Sequence, residues 1–359
     1  VYVSTLTKRQ PAAQAARTCY LVINPCLVMC MSIVIVDSYS LCQAFGLSAT
    51  DSGQMVGEYY LGSCLGALGV WFLAISTNHL WQHRTRQVLA AGIAIQLIGS
   101  TIYTLMARTA TLVVTSADWN PAEKELNHFA YYLLLARIVS GFGAGTAQQC
   151  YVSAMLHITP ASGRPGHTTR WILSTMVSFG MGPLLAALLE VFVSPEYPAF
   201  EFVGYVQLIL TACAMFAAVA LHPSLAGVKD CAEDEVDEPA HGSASAALQA
   251  VGGSPSSLAR LSQKRKVVVG CLAMTLTRAY LVTSSEVVIV QLLEEKYHFG
   301  HSSIGAALGL VFLLMVPMKM AYDVTPSTAT WVRLLSVASF LGSLMLLRPV
   351  GAMLEAGLC

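Results

Sequence analysis

Apolar residues in this chain run in long blocks rather than along one helical face, and polar residues collect in the stretches between them. Nine blocks can be counted: Cys19 to Leu41, Gly53 to Ile75, Val88 to Met106, Phe129 to Leu156, Trp171 to Val193, Phe202 to Leu221, Val267 to Val290, Ile304 to Met320 and Thr330 to Leu347. Each approaches the roughly 20 residues an α-helix needs to cross a hydrocarbon core about 30 Å thick. The pattern therefore predicts an all-α polytopic membrane protein of nine spans, their ends less sharply defined than their existence.

Composition agrees. Of 359 residues, 55% are hydrophobic and only 11% charged, against about a quarter charged in soluble domains. Basic residues are distributed unevenly. Lys8, Arg9 and Arg17 precede or open the first span, Arg84 and Arg86 follow the second, and Arg164 and Arg170 follow the fourth. Lys229, Arg260, Lys264, Arg265 and Lys266 follow the sixth, whereas the alternate connections hold only Arg108 and Lys124. The positive-inside rule then places the N-terminus and the central loop in the cytosol.

One composition break interrupts the blocks. Pro223 to Gln263 carries the acidic run Glu233 to Glu238 and then a Gly/Ser/Ala-rich stretch, a composition that cannot bury enough apolar surface to fold. The expected organisation is a cytosolic arm (1–18), a six-helix transmembrane bundle (19–222), a disordered cytosolic linker (223–265) and a partial second bundle of about three helices (266–359). Three helices after six, with Val1 rather than Met in first place, read as part of a longer protein.

Chemistry must be sought in the polar residues that the blocks contain. Arg137 stands in an otherwise apolar or small stretch, Phe129 to Gly145. A guanidinium cannot shed its charge, so at membrane depth it needs a partner or a wet cavity and is a functional candidate by default. Gly141, Gly143 and Gly145 follow it and are expected to clear one side of the helix for a close neighbour. Ten cysteines show no CxxC or metal-ligand spacing, and the nine histidines are scattered. Nothing points to a metal, a cofactor, a catalytic site or nucleic acid, and the oligomeric state is left open.

The run Arg137-Ile-Val-Ser-Gly141-Phe-Gly143-Ala-Gly145 resembles the fourth-helix pattern of the major facilitator superfamily. Gly180-Met-Gly182-Pro183-Leu-Leu-Ala186 resembles its fifth-helix Gly-Pro motif. Tyr132 to Leu188, with Ser284-Ser285-Glu286, Tyr297-His-Phe299 and Gly309 to Pro317, is most similar to the branch holding the SPX-linked vacuolar phosphate transporters and the lysosomal ceroid-lipofuscinosis membrane protein. The resemblance implies a two-bundle transporter in a vacuolar or lysosomal membrane. Three departures stand beside it. Ser76-Thr-Asn-His-Leu80-Trp-Gln-His-Arg84-Thr-Arg86 keeps the basic end of the family's second-to-third loop without its aspartate. Thr146-Ala-Gln148-Gln149-Cys150-Tyr151 stands where phosphate-transporting relatives carry basic residues, and no SPX domain precedes the first span.

Depth along each span, at 1.5 Å per residue, sorts the remaining candidates. Glu58 and Arg137 both fall roughly 10 to 12 Å below the non-cytosolic surface and are expected to form an ion pair, functional or structural. Asp37 and Glu190 lie near the outer ends of their spans and read as interfacial, with Asp37 kept among candidate proton or ion-pair groups. Arg278 lies near the middle of the seventh span, where such transporters bind substrate, and is the best anion contact. Glu286, eight residues on, is a candidate for a coupling proton or for structure. Gln148, Gln149 and Tyr151 line a polar cavity or join helices, while Gly180, Gly182 and Pro183 shape the helix. The leading expectation is secondary transport of a small inorganic anion, phosphate before chloride, across an endomembrane, with lipid and a proton as further partners. The alternative is a sensor or truncated copy that does not transport.

Overall fold

The computed structural model describes residues 2–76, 84–115, 127–192, 199–225 and 292–324, with the short pieces 228, 289–290 and 337. Helices α1 (Tyr2–Ala44), α2 (Ala49–Ser76), α3 (Thr85–Thr115), α4 (Asn127–Ile158), α5 (Arg164–Phe192) and α6 (Ala199–Phe216) coincide with the first six blocks, and α7 (His301–Val324) with the eighth. No strand occurs among the described residues. Five of these helices, among them α1 from Pro11 and α6 extended to Leu221, are long and apolar enough to cross a membrane. The first eighteen residues, expected as a separate arm, are helical from Tyr2 and continuous with the first span. The seventh block is described only at 289–290, the ninth only at 337, and the linker only at 223–225 and 228.

Short-range chemistry sets the turns. After α1, Gly46 takes a positive φ of 69°, Gly46 N–H donates to Gln43 O (2.8 Å) and Leu47 N–H to Cys42 O (2.9 Å). This pair of bonds is the Schellman stop, which satisfies the last carbonyls of a helix and favours glycine at the left-handed position. Asp51 then accepts from both Ser48 N–H (2.8 Å) and Ser48 Oγ (2.7 Å), tying off the start of α2. At the other end of the bundle α6 widens into a π-helical turn, Ala217–Leu221, and Arg86 donates to the Val219 carbonyl.

The outer surface of the bundle is unlike that of a soluble protein. Leu61, Leu65, Leu68 and Phe72 on α2, and Ile98, Leu105 and Leu112 on α3, are exposed, as a surface solvated by lipid tails permits. The interior instead relies on close backbone approach. A Cβ on Gly141 or Gly145 of α4 would strike the backbone of Tyr59 or Ser63 on α2, and one on Gly62 or Gly66 would strike α4 in return. Gly143 lies against Gly92 and Gln96 of α3. The three glycines therefore serve two neighbours rather than the single cleared side expected, because residues two apart on a helix lie about 200° apart around its axis. Gly182 brings α5 onto Ser32 of α1, while Gly305 and Gly309 of α7 lie against the Pro183 and Gly180 carbonyls.

Buried apolar side chains form two clusters. One holds Ile33, Leu41, Met55, Tyr103 and Ile304; the other holds Tyr20, Leu27, Ile93, Tyr151 and Ala214. Between them along α3 and α6 lie the buried polar residues Gln96, Ser100, Gln207 and Thr211, and Ser140 of α4 is buried within the first. The chain divides into one compact unit through Phe312 and another from Leu313 onward. Everything described below belongs to the first.

Candidate functional site

Arg137 is the largest fully buried side chain among the described residues, only 1% exposed. It lies on α4 between the two helices that the glycines draw close. Its guanidinium carbon stands 4.7 Å from the centroid of the Tyr59 ring and 5.9 Å from that of Tyr103. None of its three nitrogens has a hydrogen-bond partner. Contact with an aromatic face contributes roughly 0.5–2 kcal/mol, whereas removing such an ion from water costs several. The two rings offset only part of that cost, so the position retains strong attraction for negative charge.

The surroundings do not neutralise it. Gln96, Ser100, Tyr103 and Ser140 each place a buried polar atom without a hydrogen-bond partner in the same bundle interior. These groups supply donors and acceptors but no carboxylate. Buried polar atoms left unsatisfied cost about 1–3 kcal/mol each.

The Glu58–Arg137 ion pair expected from matched depth is not formed. Glu58 is half-buried, and its Oε1 accepts from Gln54 Nε2 on its own helix (3.3 Å). Depth fixes position along the axis but not around it. The face of α2 turned to α4 is that of Tyr59, Gly62, Ser63 and Gly66, and Glu58 is about 100° away from Tyr59.

Asp37, read as interfacial, is instead 3% exposed, and its Oδ2 has no hydrogen-bond partner. It lies within electrostatic reach of Glu190 and Glu294, and Glu294 Oε1 is 3.7 Å from His301 Nε2. Gln148 and Gln149 are half-buried on α4. Arg278 and Glu286 lie outside the described residues.

Tyr151 belongs to a network that only part of the sequence reading reached. Its hydroxyl donates to Asn24 Oδ1 and accepts from Trp171 Nε1 (3.1 Å). Asn24 Nδ2 donates to Thr175 Oγ1 (2.9 Å). The Tyr151 ring stacks on Tyr20 with centroids 5.6 Å apart, and the Tyr20 hydroxyl meets His222 Nε2 at 2.8 Å. Burial, aided by nearby Arg86, holds His222 below the ordinary imidazole range. Asn24 and Gln96 were open to detection as uncharged polar residues inside apolar blocks; Tyr20, Tyr59 and Tyr103 carry no such signal.

No group of His, Cys, Asp and Glu able to hold a metal ion occurs among the described residues. The sequence profile described as Major Facilitator Superfamily matches residues 21–357. No curated protein and no solved structure gives a significant match.

Proposed function

Because the chain belongs to the major facilitator superfamily, we propose that it is a secondary transporter of a small inorganic anion, working by alternating access with Arg137 as its fixed cation. The coarser part, a polytopic membrane transporter of a small solute, rests on the family match and the apolar helices. The anion rests on one observation: Arg137 is a buried guanidinium in contact with two tyrosine rings and, among the described residues, no carboxylate. A carboxylate pair would have satisfied the charge structurally; without one, the favourable partner is a mobile anion.

Alternating access is supported by the seam between α5 and the first half of α7. Gly305 and Gly309 let α7 approach the carbonyls of Pro183 and Gly180, and Phe179 stacks on Phe312 at 5.6 Å. Smooth glycine surfaces allow two helices to pack closely without interlocked side chains, which suits rocking of one bundle against another. Arg278 and Glu286 join the proposal from the sequence alone, as anion contact and proton carrier. Phosphate and an acidic organelle are the substrate and location favoured by the resemblance of the fourth, fifth and eighth spans.

Uptake by proteoliposomes containing the whole protein tests the reading. Labelled phosphate should accumulate saturably when unlabelled phosphate is trapped inside, with chloride as the second anion tried. Absence of saturable exchange for both anions rejects inorganic-anion transport.

A further inference from the structure

A cavity of about 200 Å³ opens between α1, α4 and α5, at the end of the bundle opposite Asp37 and Glu190. Tyr20, Tyr151, Val152, Met155 and Trp171 form its walls, and Arg164 and His167 stand on it. Fourteen residues of α4 separate Tyr151 from Arg137, about 21 Å along the axis. The two sites are therefore distinct places on one helix.

The walls are apolar for a specific reason. The polar tips of all three aromatic residues are occupied within the protein: Tyr20 by His222, Tyr151 by Asn24 and Trp171, and Trp171 by Tyr151. Ring surface, Leu21, Val152, Met155 and Leu156 are what remain for a ligand, with the unpartnered Thr159 hydroxyl at one point. Such walls bind hydrocarbon or another ring, and a single hydroxyl does not hold a bare phosphate or chloride.

The rim has the opposite character. Arg17 Nη1 donates to His167 Nε2 at 3.0 Å, which leaves the His167 proton on Nδ1 as a further donor. Arg170 lies close enough to act electrostatically on His167. Arg164 directs Nε and Nη2 at the Thr159 and Leu156 carbonyls that end α4. No Asp or Glu occurs in residues 1–36 or 127–189, which include every residue lining the cavity. Positive charge at the mouth is thus unopposed within these two stretches.

We infer that this cavity binds an amphipathic organic monoanion, its apolar body against Tyr20, Tyr151 and Trp171 and its carboxylate at the Arg17–His167 rim. Drug-sized ligands occupy roughly 300–1,000 Å³, so the volume here selects a small body, a single ring with a short acid tail. Ring stacking on the tyrosines and cation attraction at the rim act on opposite ends of one molecule. A neutral analogue loses the second, and an inorganic anion loses the first. The inference is independent of whether the protein transports inorganic anions.

Calorimetric titration of the purified whole protein with 3-phenylpropionate, 3-phenylpropanol and inorganic phosphate separates the possibilities. The acid should bind one-to-one, the alcohol about tenfold more weakly, one tenfold step being 1.4 kcal/mol, and phosphate should not displace the acid. Val152→Phe and Met155→Trp fill the cavity from different walls, and each should weaken the acid at least tenfold while remaining monodisperse with an unchanged unfolding temperature. Arg17→Gln should weaken the acid but leave the alcohol alone. Equal affinity for acid and alcohol overturns the charged rim. Undiminished binding in either well-folded filling variant overturns the site. No heat of binding for the acid overturns the whole inference.

Discussion

Two buried residues carry opposite lessons about charge inside this bundle. Arg137 stays cationic at any accessible pH and relies on rings and on whatever anion it meets. His222 stays neutral, because burial and Arg86 depress its protonation. The unfolded chain takes up that proton near pH 6.5, while the folded protein resists it to lower pH. Below about pH 6.5 the unfolded state therefore holds the extra proton, and stability falls as pH falls, by up to about 1.4 kcal/mol per pH unit until the folded-state value is passed. Thermal unfolding of the wild type should shift downward between pH 6.5 and pH 5. In His222→Gln, which keeps a hydrogen-bonding group beside Tyr20, that acid shift should shrink; an identical shift in the variant would assign it to other groups.

The elements were more legible than their contacts. Apolar blocks long enough to span located α1 to α6 and α7, since a helix that must satisfy its own backbone in lipid leaves a continuous hydrophobic signature. Gly141, Gly143 and Gly145 signalled close packing, but only the three-dimensional arrangement divides them between α2 and α3. The Glu58–Arg137 pair failed on angle around the axis, and Asp37 proved buried because neighbouring helices, not its own depth, decide exposure. Tyr20 and His222 meet across 202 residues, a distance no local pattern encodes. Glycine contacts give a paired prediction. Gly141→Ala forces α2 and α4 apart and should cost about 1–3 kcal/mol. Gly57 on α2 has nothing within 4 Å of the added methyl, so Gly57→Ala should be neutral or stabilise by up to about 1 kcal/mol through helix propensity. Comparable losses of unfolding temperature in both variants would contradict the packing described.

At the scale of the molecule, the bundle carries large apolar side chains on its outside as well as in its two buried clusters, and it keeps two chemically different centres at different depths on one helix. Tyr151 and its cavity sit among unopposed arginines at the end rich in positive charge. Arg137 sits deeper, in a polar interior shared by α3 and α4. We propose that this buried cation acts on a travelling anion rather than holding the fold. Phosphate exchange in proteoliposomes, measured side by side for the wild type, Arg137→Lys and Arg137→Gln, tests it most directly, with unfolding temperature recorded for each. Saturable exchange is expected in the wild type, reduced exchange in Arg137→Lys, and none in Arg137→Gln at any pH, while Arg137→Gln unfolds at the same temperature or higher. Wild-type exchange rates in a well-folded Arg137→Gln protein would contradict it.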